Sequence, residues 1–275
     1  MKNLIIRTAT GVLFITVIIA SIFLSNTVML SVFLLFASLA LYEYRTLLKR
    51  NDIRLSTAFY AVSVLIYLMV SVAGLWYMLT AIVLLSMLSA VIGLFFLLFI
   101  AELFRKQDNP FTNIAYSILG IIWIVFPFAF INRFHLLSSE WQFLLLSVFI
   151  IIWLYDTFAY CVGMLIGRHR LFERISPKKS WEGAIGSTIL TLILAYFANF
   201  LFPMIPLTSL QWIGLALVII VFGTLGDLAE SMFKRQLSVK DSGGILPGHG
   251  GILDRFDSVL LAIPFVWLYL NIVLR

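Results

Sequence analysis

Apolar residues run through this chain in long blocks separated by short polar connectors, and the blocks have the length of membrane helices. About 18 consecutive apolar residues suffice to cross a bilayer. Nine blocks can be read: roughly Thr8 to Leu24, Thr27 to Tyr42, Leu55 to Leu75, Tyr77 to Ala101, Phe111 to Asn132, Trp141 to Ile166, Ala184 to Phe202, Leu210 to Leu228 and Ser258 to Leu274, the second being the shortest. None keeps the strict two-residue alternation of a barrel strand, and a helix satisfies its backbone polar groups within the segment. The pattern predicts an all-α, polytopic integral membrane protein with about nine transmembrane helices.

The connectors add orientation. Cytoplasmic loops carry an excess of Lys and Arg. With nine spans and a cytoplasmic N-terminus, every one of the 19 basic residues except Arg133 and Arg275 falls on the inner side, and the C-terminus lies outside. Lys2 and Arg7 before an apolar stretch imitate a secretory leader, but no small-x-small cleavage site follows, so this stretch is kept as the first span. The net charge of +6 sits in loops that abut the membrane. Attraction to anionic headgroups and control of topology account for it, and a nucleic-acid partner is not expected. The single cysteine, Cys161, has no internal partner for a disulfide. Trp76, Tyr77, Trp141 and Trp212 lie near span ends and read as an interfacial belt.

No soluble domain or repeat breaks the chain, so residues 1–275 read as one membrane domain. Residues 1–140 are spans with little chemistry, Glu43 and Glu102 being solvated or snorkelling carboxylates at inner span ends. Residues 141–275 differ. Of the thirteen acidic residues, five lie between Asp227 and Asp257, and Asp156 lies inside a span. A carboxylate in hydrocarbon is costly and normally faces a bundle interior or water. In GTLGDLAESMFKR, Asp227, Glu230 and Ser231 share one helix face, as Asp254 and Asp257 do if helix begins there. Hard oxygen ligands on two helices suit a divalent cation such as Mg²⁺, whereas a zinc or thiolate site lacks its Cys and His.

Between them runs KDSGGILPGHGGILDRFD, Lys240 to Asp257, with Lys234, Arg235, Lys240, His249 and Arg255 around Gly248, Gly250 and Gly251. Glycines allow close backbone approach to an anion, and carboxylates with cations are what phosphoryl or nucleotidyl transfer requires. The preceding loop, GRHRLFERISPKKSWEG, repeats the theme with Ser176, Lys178 and Lys179, although topology-setting charge also explains it. His135 and His169 have no partner at ligand spacing and read as surface or packing residues.

The stretch Ser231 to Ser258 resembles the signature of the phosphatidate cytidylyltransferases, the CDP-diacylglycerol synthases of phospholipid synthesis, in the order Ser, Phe-Lys-Arg, Lys-Asp, Pro-Gly-His-Gly-Gly, Asp-Arg, Asp. GTLGDLAES, DTFAY at Asp156 to Tyr160 and SPKKSWEG at Ser176 to Gly183 are similar to family segments too. Gln236 stands where many relatives would carry an acid. The resemblance implies condensation of CTP with phosphatidic acid to CDP-diacylglycerol and pyrophosphate, with Mg²⁺ and the alternatives of one cation or two. It implies that Asp227, Asp254 and Asp257 organise the metal, and that Asp241 and Ser231 complete its surroundings. Lys178, Lys179, Lys234, Arg235, Lys240 and Arg255 would hold phosphates. His249 and the glycines would shape a nucleotide pocket, and a notch at Asp156 would take the lipid headgroup. The implied location is the inner cell membrane, with the site facing the cytoplasm; monomer and homodimer stay open. A CTP-dependent lipid kinase of the dolichol-kinase type is the nearest alternative. A secondary transporter using Asp156 and Asp227 is another, for which internal symmetry is missing.

Overall fold

The computed structural model describes residues 2–72 and 81–274, with side chains described at 6–72 and 85–274. The belt positions Trp76 and Tyr77, together with Arg275 and the side chain of Lys2, lie outside the described residues. The chain is mostly helical: α1 (Lys2–Leu24), α2 (Asn26–Lys49), α3 (Ala58–Val72), α4 (Ala81–Leu103), α5 (Pro110–Gly120), α6 (Phe126–Ile131), α7 (Trp141–Ile166), α8 (Trp181–Tyr196), α9 (Ala198–Leu201), α10 (Ser209–Gln236) and α11 (Leu253–Val273). A π-helical turn, Ile121–Val125, joins α5 to α6. Pro127 just beyond it lacks an N–H and its ring would press on the carbonyl four residues back, and the wider turn accommodates both effects. Seven helical segments among the described residues are long and apolar enough to cross a membrane, while α3 and α8 are apolar but shorter. This is the fold of a multi-pass membrane protein.

Several helices outrun their apolar blocks. Helix α2 continues past Tyr42 to Lys49, α10 past Leu228 to Gln236, and α11 starts at Leu253, ahead of Ser258. Hydropathy ends where the headgroups begin, but the i→i−4 ladder needs only helical neighbours, so the polar ends remain helix. Besides an isolated antiparallel bridge between Leu246 and Gly250, one strand pair occurs among the described residues. Strands β1 (Arg170–Phe172) and β2 (Ser176–Ser180) form an antiparallel ribbon between α7 and α8. Such a ribbon leaves strand edges unpaired, which a polar connector with access to water tolerates and hydrocarbon does not.

The chain forms two compact units, residues 1–133 with 241–255, and residues 134–240 with 256–275. In the first, Phe33, Tyr44, Phe59 and Phe128 are fully buried among α2, α3, α5 and α6. Polar groups tie these helices together. The Tyr44 hydroxyl donates to the Tyr116 carbonyl at 2.8 Å, the Tyr67 hydroxyl to the Leu30 carbonyl at 2.8 Å, and Asn132 Nδ2 to the Tyr67 hydroxyl at 2.7 Å. Interhelical hydrogen bonds of this kind hold helices that lipid contact alone does not drive together. The expectation of solvated Glu43 and Glu102 is corrected here: they are 2% and 3% exposed. Glu102 accepts from Asn113 Nδ2 and pairs with Arg105, both at 2.5 Å. Partners distant in sequence supply what water would have supplied.

In the second unit α7 and α8 pack through small residues. A Cβ on Gly183 would sit 2.9 Å from the Ala159 carbonyl oxygen and 3.2 Å from Gly163 Cα. Helix α10 meets α11 in the same way, a Cβ on Gly226 falling 2.6 Å from the Asp257 carbonyl oxygen. Small residues let membrane helices approach backbone to backbone.

Candidate active site

The close approach of α7, α8 and α10 leaves a cavity of about 250 Å³ lined by Asp156, Tyr155 and Tyr160 of α7, Lys178 and Lys179 of β2, Gly183 of α8, and Thr224 and Asp227 of α10. Each side chain arrives for a local reason. Ser180 caps α8 by accepting from the Gly183 amide at 3.1 Å, which fixes the end of β2 and so the two lysines before it. Thr224 and Asp227 stand at i and i+3, on one face of α10. Lys179 pairs with Asp227, and the Ser231 hydroxyl donates to Asp227 Oδ1 at 3.3 Å. The Thr224 hydroxyl donates to the Tyr155 hydroxyl at 3.0 Å.

Gly226 brings α11 at Asp257, Ser258 and Leu261 against α10, and the Asp257 carboxylate lies in the field of Asp227, Asp156 and Lys179. Three carboxylates so placed repel one another, and a cation relieves the repulsion. Lys179 meets part of that demand. The donors are hard oxygens of the kind Mg²⁺ takes, although among the described residues no three His, Cys, Asp or Glu side chains close on a single point.

Other candidates of this unit have partners elsewhere. Lys234 is buried and pairs at i+4 with Glu230, which is 0% exposed. Arg235 is exposed and donates to the carbonyls of Ile175 and Val239, tying the end of α10 to the ribbon connector. Ser176 opens β2 half-buried, and Lys240 is exposed. His169 Nδ1 lies 2.5 Å from Glu182 Oε1, and Glu182 also accepts from the amides of Arg168 and His169, closing the base of the ribbon.

Asp241, Asp254, Arg255, His249 and the glycines of the signature belong to the first unit. Asp254 accepts from the Ser242 amide at 2.9 Å and from the Gly251 amide at 2.8 Å. Glu43 accepts from the Ile252 and Leu253 amides at 3.1 and 3.0 Å and from the Ser242 hydroxyl at 3.3 Å. The first amides of α11 have no partner within their helix, and a carboxylate from α2 serves two of the amides at this end. A Cβ on Gly243 or Gly251 would collide with Glu43. Gly248 and Gly250 have φ of +76° and +83°, a region that favours glycine. These glycines therefore answer to local packing and turn geometry. His249 packs on Gly11 of α1, and burial with the Arg255 and Arg7 charges pushes its imidazole below the ordinary value. Asp241 and Arg50 are exposed and line a further cavity of this unit beside Glu43.

Sequence reading missed Tyr155, Thr224 and Glu43. Thr224 carried a signal, since it precedes Asp227 by three positions, the spacing of one helix face. Tyr155 and Glu43 carried none, because both act through partners that only tertiary structure identifies.

Comparison with known proteins agrees along the chain. The profile described as "Cytidylyltransferase family" matches residues 5–273. The phosphatidate cytidylyltransferase of Staphylococcus aureus (strain COL) is 36% identical over 271 residues, covering 95% of this chain and 96% of that protein. Those of Staphylococcus haemolyticus (strain JCSC1435) and Staphylococcus saprophyticus (strain ATCC 15305) are 34% and 33% identical over the same shares. With nearly its whole length matched and the two lysines, Asp156 and Asp227 gathered round one cavity, the chain belongs to the cytidylyltransferase family.

Proposed function

We propose that this chain condenses CTP with phosphatidic acid, releasing pyrophosphate and leaving CDP-diacylglycerol in the membrane. The observation that carries the reading is the cavity shared by Asp156, Lys178, Lys179 and Asp227 on helices of a multi-pass membrane protein. In the reaction an oxygen of the lipid phosphate forms a bond to the α-phosphorus of CTP, and the bond from that phosphorus to the bridging oxygen of pyrophosphate breaks. The nucleophile is already an anion near neutral pH, so no general base is needed. The obstacle is the meeting of two polyanions.

Lys178 and Lys179 are placed to hold phosphate oxygens and to offset that repulsion. Asp227 and Asp257, with Asp156 in their field, are the side chains we assign to holding Mg²⁺, which when bound would supply positive charge to offset that of the phosphates. Tyr155 and Thr224 fix one wall by their mutual hydrogen bond. Asp254 we assign to anchoring the signature loop, because its carboxylate is engaged by two amides of that loop. Lys234 we assign to neutralising buried Glu230, while Lys240 remains an exposed cation for incoming phosphate. The finer membrane reading is part of the same proposal: nine crossings, N-terminus and active cavity on the cytoplasmic side, C-terminus outside, in the cell membrane, as one membrane domain.

The test is incubation of purified protein in detergent with labelled CTP, phosphatidic acid and Mg²⁺. Labelled CDP-diacylglycerol with pyrophosphate is expected, and CDP as coproduct would mean a lipid kinase instead. Asp227→Asn should lower turnover by about 10²-fold or more while the protein still inserts. Lys179→Ala should raise the KM of a phosphate-bearing substrate.

A further inference from the structure

We infer that the first unit carries a second anion site, built for the phosphate of an anionic phospholipid headgroup. Where α2 and α4 end and α3 begins, a cavity of about 420 Å³ is lined by Arg45, Lys49, Arg54 and Arg105 with Tyr42 and Tyr60 at its sides, and no carboxylate is among its lining residues. None of these residues lines the reaction cavity. Glu102, the acid that pairs with Arg105, is buried and also accepts from Asn113.

Two of the cations are held in place. The Arg45 guanidinium lies over the Tyr60 ring at 5.2 Å from its centroid, and Arg105 donates to the Arg54 carbonyl at 2.9 Å. The connector itself is pinned, the Arg54 amide donating to Asn113 Oδ1 at 3.0 Å and the Ile53 amide to the Leu48 carbonyl at 3.1 Å. Topology control needs positive charge on this side of the membrane but does not need it to converge. Arg45, Lys49 and Arg54 round one concavity, beside the Arg105–Glu102 pair, repel one another until an anion joins them, and guanidinium forks match phosphate oxygens.

A lipid is favoured over a soluble phosphate by what adjoins the cavity. Helix α4 ends at Leu103, and Leu103 and Phe104, directly before Arg105, are 79% and 81% exposed. An occupant that brings its own acyl chains covers such surface while its phosphate meets the cations. Basic pockets at the ends of membrane helices take anionic headgroups in this way.

The experiment is thermal unfolding of the full-length protein in detergent. The additives are dioleoylphosphatidylglycerol, dioleoylphosphatidylcholine, or inorganic phosphate at matched ionic strength. Phosphatidylglycerol should raise Tm, and Arg45→Gln with Arg54→Gln should remove about half of that shift or more. Arg45→Lys with Arg54→Lys should keep most of it, and Arg170→Gln with Arg174→Gln, two exposed cations elsewhere, should keep all. If the double glutamine variant does not fold, Lys49→Gln, exposed on the last turn of α2, reads the same shift. The inference is overturned if phosphatidylcholine gives an equal shift, if inorganic phosphate reproduces it, or if the Arg170 and Arg174 pair loses as much. The readout is binding, so it stands apart from any result on turnover.

Discussion

Glu43 shows how much one side chain can carry. It reaches from α2 to the start of α11, where two amides and a hydroxyl converge on its carboxylate, and two glycines leave room for it. An unmet buried amide costs about 1–3 kcal/mol. Glu43→Ala should therefore lower stability by about twice that, less what water recovers, read as a fall in unfolding temperature in detergent. Glu43→Gln, which keeps the volume, should cost less. His249 gives a pH signature. Its imidazole is pushed below the ordinary 6.5 by burial, with Arg255 and Arg7 adding repulsion. The folded state therefore favours the neutral ring. That stabilisation is complete above the ordinary value and is lost as pH falls through the depressed one. Amide exchange in residues 241–252, corrected for its intrinsic rate, should accelerate as pH is lowered from about 7 to about 5. His249→Gln should remove the dependence.

At the level of elements, the candidate cavity is a product of helix spacing. Gly183 lets α8 lie against α7, and Gly226 lets α10 lie against α11, so the lysines of the ribbon and the carboxylates of three helices come within reach of one another. Extra volume at such a contact costs about 1–3 kcal/mol. Gly226→Val should cost at least that much stability and lower turnover, although Asp227 and Asp257 are untouched. Circular dichroism with activity on the same sample checks both. The ribbon was not legible in advance. Arg170–Phe172 and Ser176–Ser180 are too short for alternation to be read, and their pairing is set by the turn between them and the Glu182 contacts at its base. Its lysines were still recognised as candidates, because side-chain chemistry reads directly from sequence whatever the backbone does.

On the scale of the whole molecule, the proposed orientation makes a plain forecast. In a Cys161→Ser background, Gly244→Cys should react with an impermeant maleimide only from the cytoplasmic face, and Ser139→Cys only from the other. Gly244 has open space around it, so the substitution itself is mild. The sequence by itself determined the class of molecule, a multi-pass helical membrane protein, because hydropathy is a property of each residue and accumulates along a run. It also made Asp156, Lys178, Lys179 and Asp227 candidates, and those four share one cavity. Tertiary structure decided the partnerships. It buried Glu43 and Glu102, paired Lys234 with Glu230, committed Asp254 to loop amides and gathered Arg45, Lys49, Arg54 and Arg105 round a cavity. A contact between residues far apart in the chain depends on how two helices lie together, and no local pattern encodes that.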